Sequence, residues 1–182
     1  MGIFHKIKWE IGIGLIVAAL TGCAVQSLVI SPPAWDRLES GMYDTVAGRV
    51  FYGIGHASGV QNPTLLRAAA DNHARKELAA VLEGFVAELA RSSKVGADPA
   101  WAALPADEQR QTLGILVRQA LQRAVISDHW SDAQEPRLLA LCRLDLTVFK
   151  QVLSDSAVLD KSTQTGMLAE AESVHARFAH QF

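Results

Sequence analysis

Three things are scarce in this sequence: cysteine, net charge and long apolar runs. Its 182 residues include only two cysteines, too few for a disulfide scaffold or a four-thiolate zinc site. With 17 Lys+Arg against 19 Asp+Glu the formal charge is −2, so there is no electrostatic footprint for DNA or RNA. The apolar run Ile11–Leu20 would rise only ~15 Å as a helix, about half of a ~30 Å hydrocarbon core, and is too short to span a membrane. No internal repeat or low-complexity segment is visible. A composition of 49% apolar and 20% charged residues excludes a disordered chain, and the length fits one ordinary domain with appendages.

What is present begins with an address. Lys6 and Lys8 precede the apolar run, and Leu20-Thr21-Gly22-Cys23 follows it. A short basic start, a ten-residue apolar stretch and a small-residue exit are the parts of a secretory signal peptide. The last four residues resemble the bacterial lipobox. A branched apolar residue comes first, then two small residues that let the backbone enter a protease cleft, then the cysteine to be modified. The resemblance implies a thioether from Cys23 to diacylglycerol, cleavage before Cys23, and a further acyl chain on the freed α-amine. One acyl chain holds a protein at a membrane marginally, and two or more hold it stably. Residue 24 is Ala rather than Asp, which in lipoproteins of this kind favours the outer membrane. Residues 1–22 are therefore read as a lipoprotein signal peptide, leaving a mature chain of residues 23–182. Without Lys6, Lys8 and Glu10 it carries 15 basic and 18 acidic residues, a net −3. No polybasic patch supplements the lipid.

The mature chain opens on residues 24–46, which show no clean periodicity and carry Pro32-Pro33. With Cys23 they read as a lipidated N-terminus and tether, at most ~75–80 Å long if extended. Trp35 and Tyr43 suggest that part of it docks on the domain or on a neighbour. Ala47–Ser58 alternates as a strand. Asn62-Pro63 then starts a helix, with Asn as N-cap and Pro at N1. Leu66, Ala70, Ala74, Leu78, Val81, Phe85 and Leu89 recur at spacings of three and four along it, and its small residues permit a close approach to a sheet. Pro105 opens a second helix whose buried face is Leu113, Leu116, Val117, Ala120 and Ala124. Val125–Ser131 and Arg137–Leu146 pair as a hairpin. Short helices follow at Thr147–Asp155 and Met167–Phe182. The sequence thus predicts an α+β domain over residues 47–156 and a C-terminal helical extension over 157–182. The sheet is expected to be small, three-stranded and mainly antiparallel. Two long helices separate its first strand from the hairpin and cover one face, leaving the other less covered.

Candidate chemistry is thin. Gly53-x-Gly55-x-x-x-Gly59 lies between a strand and a helix, but the dinucleotide fingerprint needs G-x-G-x-x-G, and Ser58 stands where its third glycine belongs. The glycines more simply let the helix fold back onto the sheet. A helix N-terminus can still bind an anion, so Gly55, Gly59 and Asn62 are kept as an anion or ligand entrance. Asp71 and His73 point to different helix faces, and Arg75 at i+4 is the better partner for Asp71. Asp128 and His129 are neighbours on a strand and face opposite ways. His175 and His180 are badly spaced for a metal, and no tight histidine cluster exists. Cys142, between Ala140 and Leu144, should face the core. No catalytic residue, metal ligand or cofactor is predicted, the covalent lipid on Cys23 apart.

The mature domain resembles a known family. Phe51-Tyr52-Gly53-Ile54-Gly55-His56-Ala57-Ser58-Gly59 leads into Ala70-Asp71-Asn72-His73-Ala74-Arg75-Lys76-Glu77-Leu78-Ala79. Ile126-Ser127-Asp128-His129-Trp130-Ser131-Asp132 leads into Leu139-Ala140-Leu141-Cys142-Arg143-Leu144-Asp145-Leu146. Together they are similar to the LPP-twenty family of bacterial outer-membrane lipoproteins, over roughly residues 47–156. This chain departs from the family's pattern at Leu138-Leu139, where an aromatic residue is common. The resemblance implies a compact periplasmic α+β domain without catalysis, in a family where some members assemble around the flagellar motor. The expected partners are the membrane, through the lipid, and either further copies of the chain or another envelope protein. No nucleic acid or small-molecule substrate is expected. The alternative reading is a binding module for a cell-wall or small anionic ligand.

Overall fold

A computed structural model describes residues 32–92, 99–131 and 137–181. Residues 20–23, the lipobox and lipidation position, lie outside them. The first element among the described residues is a 3-10 turn at Ala34–Arg37, followed by strands β1 (Gly41–Thr45) and β2 (Gly48–Ser58). Helices α1 (Pro63–Ser92), α2 (Pro99–Ala102) and α3 (Ala106–Arg123) follow. Then come β3 (Val125–Ser131), β4 (Arg137–Asp145), α4 (Leu146–Asp155), α5 (Lys161–Phe178) and β5 (His180–Gln181). The protein is α+β, as the pattern predicts, and Pro32–Phe182 forms one compact unit.

The sheet has five strands in the order β3-β4-β2-β1-β5, not three. Four are antiparallel neighbours, and β5 adds a two-residue parallel rung on β1 at Tyr43–His180 and Asp44–Gln181. The extra strands come from segments read as a tether and as an extension. β1 is only five residues long and joins β2 through Val46-Ala47, with Gly48 at φ +121°. Nothing in that connection is the Asn-Gly or Asp-Gly that marks a tight hairpin in sequence.

Helix α1 begins where Asn62-Pro63 places it. The Asn62 side-chain oxygen accepts from the backbone N–H groups of Thr64 (2.9 Å) and Leu65 (3.3 Å). Its buried stripe is Ala70, Ala74, Leu78, Leu82, Phe85, Val86, Leu89 and Ala90. The helix lies almost in contact with β2 because Gly53 and Gly55 have no side chain. A Cβ on Gly53 would stand 2.7 Å from Leu78 Cβ, and one on Gly55 2.8 Å from Ala74 Cα. The main core then forms around Phe51, Phe85 and Phe149. The Phe51–Phe85 and Phe85–Phe149 rings meet edge-on at 4.9 and 5.2 Å, a geometry that adds ~0.5–1.5 kcal/mol per pair beyond area burial. Helix α5 is part of this core, contributing Met167, Ala171 and Val174. It is capped by Asp160, which accepts from the Thr163 N–H (2.9 Å) and hydroxyl (2.7 Å), and these bonds hold its carboxyl below the usual range.

The opposite face of the sheet is covered as well. Tyr43, Val50, Tyr52, Ile54, Leu139 and Leu141 are buried beneath Trp35, with Leu38 and Trp130 beside them. Trp35 is held across β3 by a 2.8 Å bond from its indole N–H to Asp128. Strand β3 is an edge strand with a register shift between Ile126 and Asp128. A bulge and charged side chains are common devices for discouraging edge pairing.

Candidate functional site

Two polar constellations stand out, both built across α1. In the first, His129 of β3 sits between two residues one helical turn apart. Arg67 Nη2 lies 3.0 Å from His129 Nδ1, and His129 Nε2 lies 2.5 Å from an Asp71 carboxylate oxygen. A guanidinium can only donate and a carboxylate only accept. His129 is therefore the Nε2–H tautomer, donating to Asp71 and accepting from Arg67. Both ring nitrogens are committed, which leaves no lone pair for proton abstraction. The array is a clamp that ties edge strand β3 to α1. Asp71 pairs with His129 and not with Arg75, because β3 brings the imidazole within hydrogen-bond distance of its carboxylate. Arg75 instead donates to the Ala124 carbonyl at 3.4 Å.

The second constellation is a cleft of about 390 Å³ at the end of β1, lined by Leu38, Glu39, Ser40, Ile54, His56, His73, Lys76 and Glu77. It exists because β2 runs past the start of β1. Beyond Tyr52, paired with Gly41, β2 keeps β4 but loses its neighbour on the β1 edge, and side chains take over backbone groups there. The Ile54 N–H donates to the Ser40 hydroxyl at 2.9 Å. His73 Nδ1 lies 2.7 Å from the His56 carbonyl; the carbonyl can only accept, so Nδ1 donates. The lining mixes acidic and basic groups on opposite walls, with Glu39 on one side and Lys76 and Glu77 on the other. In the sequence His73 stands out only beside Asp71, and nothing there indicates this cleft. His56 is separated from His73 by 17 residues, and only the crossing of α1 over β2 brings them together.

Of the residues kept as a ligand entrance, Gly55 is buried against α1, while Gly59 (φ +75°) and Asn62 face solvent. Asn62 itself occupies two of the amides at the start of α1. Asp128 and His129 do face opposite sides of the sheet: Asp128 bonds Trp35 and His129 bonds Asp71. Cys142 is wholly buried in the main core, where burial pushes its thiol up to about 11. A thiol held in that state is a poor nucleophile and a poor disulfide partner. Among the described residues no group of three His, Cys, Asp or Glu side chains could hold a metal ion, and no helix is long and apolar enough to cross a membrane. No protein-family model matches the chain, and no curated protein matches it.

Proposed function

We propose that this chain is a lipid-anchored outer-membrane lipoprotein of the LPP-twenty type, with a non-enzymatic periplasmic domain that scaffolds an envelope or flagellar assembly. The observation that carries this reading is Leu20-Thr21-Gly22-Cys23 placed directly after Ile11–Leu20. The fold adds a consequence. The described fold includes Pro32, and only eight residues lie between it and Cys23. The nine Cα–Cα steps from Cys23 to Pro32 reach at most ~30 Å, which would hold the domain close to the membrane surface instead of letting it range freely. Support for a scaffolding role comes from the His129 array, whose polar groups are spent on each other. Metabolic labelling with radioactive palmitate tests the anchor. The wild-type chain is expected to incorporate label and fractionate with outer membranes, and Cys23→Ser to lose both. A Cys23→Ser protein that still carries acyl label would end the proposal.

The mixed-charge cleft favours a second reading, a binding module for a small cell-wall ligand. A muropeptide carries a carboxylate that Lys76 could meet and an amine suited to Glu39 and Glu77. Calorimetry with muropeptides is then expected to show binding that Lys76→Glu weakens at least tenfold. Identical titrations with wild type and Lys76→Glu would remove the cleft from consideration.

A further inference from the structure

His175 is a fully buried imidazole that neither constellation uses. It lies in the last turn and a half of α5, with no exposed surface. Its Nε2 lies 3.1 Å from the Val50 carbonyl of β2. That oxygen can only accept, so Nε2 carries the proton. The other nitrogen, Nδ1, has no hydrogen-bond partner. The ring is wedged edge-on against Phe51 (5.1 Å, 82°) and lies 6.4 Å from Phe85.

The charged groups around it are arranged so that none waits for a second proton. From β1, the Asp44 carboxylate is 3.8 Å from Nδ1 but accepts from Arg49 Nε of β2 at 3.1 Å. Glu172 of α5 is held by Lys150 of α4 (3.0 Å) and by Arg49. Helix α1 presents Phe85 to the ring, and its Glu88 is taken by Arg91 (2.8 Å) and Arg177 (3.6 Å). On β5, His180 stacks against Tyr43 at 5.4 Å. A proton on Nδ1 would therefore place a cation between two phenyl rings, beside an arginine, with its nearest carboxylate already engaged. Burying an unpaired charge is costly, and the imidazole accordingly holds its proton less readily than a free one, chiefly through burial.

The cheapest relief is local. Beyond His175 the chain is attached by Arg177, which donates to the Ser92 hydroxyl (2.7 Å) and pairs with Glu88 of α1, and by the two-residue β5 rung, while the rest of α5 is anchored by Met167, Ala171 and Val174. We propose that His175 is a proton-operated latch: neutral, it holds the last turn of α5 and β5 on the sheet; protonated, it releases them. Release would uncover the outer edge of β1 and the groove of about 370 Å³ that Phe178 and His180 wall against Met42, Val81 and Phe85. The sign follows from linkage. The released state takes up the proton near the ordinary histidine value of ~6.5, and the closed state takes it up at lower pH. Closure is therefore fully favoured above that value and weakens as pH falls below it, by at most tenfold per pH unit for one proton. The window lies above pH 5, where Glu172 and Asp160, both held below the usual carboxylate range, remain ionised.

Hydrogen exchange on the full chain at pH 7.2 and 5.2, corrected for intrinsic rates, tests the latch. Amides of residues 174–181 are expected to lose protection at least fivefold at the lower pH, with α1 and β4 unchanged. In His175→Gln, whose amide can still donate to Val50, the loss should disappear; in His180→Gln it should persist. An unchanged wild type would overturn the proposal, as would a loss that survives in His175→Gln. If that variant does not fold, histidine-detected NMR of the wild type decides. A His175 ring that titrates at or above the ordinary value while residues 174–181 stay protected would be fatal to it.

Discussion

Gly55→Ala is expected to destabilise the domain by about 3 kcal/mol or more, which is a large share of the 5–15 kcal/mol that folds a typical domain. The sign is the informative part. Replacing glycine by alanine within a regular element ordinarily stabilises by ~0.5–1 kcal/mol, since the unfolded chain loses freedom. At Gly55 the added methyl would collide with the backbone of α1 at Ala70 and Ala74. A backbone cannot change rotamer to make room, so the helix must move off the sheet along its length. Gly53→Ala, against Ala74 and Leu78, should behave alike. Gly84 supplies the internal control: it lies in the same helix, is exposed, and has nothing within 4 Å of an added Cβ. Gly84→Ala is expected to stabilise by up to ~1 kcal/mol. Urea denaturation of the three variants checks this. A Gly55→Ala protein as stable as wild type would mean that α1 and β2 are not in backbone contact.

Trp35→Ala is expected to cost about 3–5 kcal/mol, the usual range for deleting a buried tryptophan side chain. The residue is only 8% exposed and covers Tyr52, Ile54, Leu139 and Leu141. Its loss should also open an apolar patch on the sheet, seen as increased binding of a hydrophobic dye. Trp35→Phe keeps most of the covering area and deletes the bond to Asp128. Its expected cost is ~1.5–3 kcal/mol, the range for a hydrogen bond to a charged group. For a domain of this size each kcal/mol moves the melting temperature by roughly 2–4 °C, so thermal unfolding separates the two. If Trp35→Ala melts with wild type, residues 32–38 are a loose leader after all.

The first experiment probes a close approach that the glycines announce in the sequence, the second a closure of the sheet that the sequence left open. Local signals were strong where one element carries its own evidence. The Asn62-Pro63 start of α1, its stripe from Ala70 to Leu89, the alternation of β4 and the inward Cys142 could all be read directly. Each depends on neighbours within one turn or one strand, and backbone geometry alone sets their periods. Segments whose structure depends on a distant partner were illegible. Residues 41–45 are too short to show a period, and become β1 only because β2 offers an edge. Residues 157–182 read as an appendage because the apolar face of α5 is narrow. It reaches the core through Met167, Ala171 and Val174 and through a histidine that no apolar pattern includes.

The polar sites divide in the same way. Asp71 had a reasonable helical partner in Arg75 at i+4, worth a few tenths of a kcal/mol. His129 prevails because β3 places it within hydrogen-bond distance on the buried side of the helix. The cleft at His56 and His73 likewise exists only because β2 outruns β1 beneath α1.

What the sequence determines by itself is the α+β pattern and the Cys23 motif, since hydrophobic period and a short linear motif need no third dimension. Only the tertiary structure decides that Trp35 closes the second face, that α5 completes the core, and that His175 is sealed inside it. Those outcomes depend on which surfaces meet, and contact between residues up to 125 positions apart is set by the packing of whole elements, not by the local order of side chains.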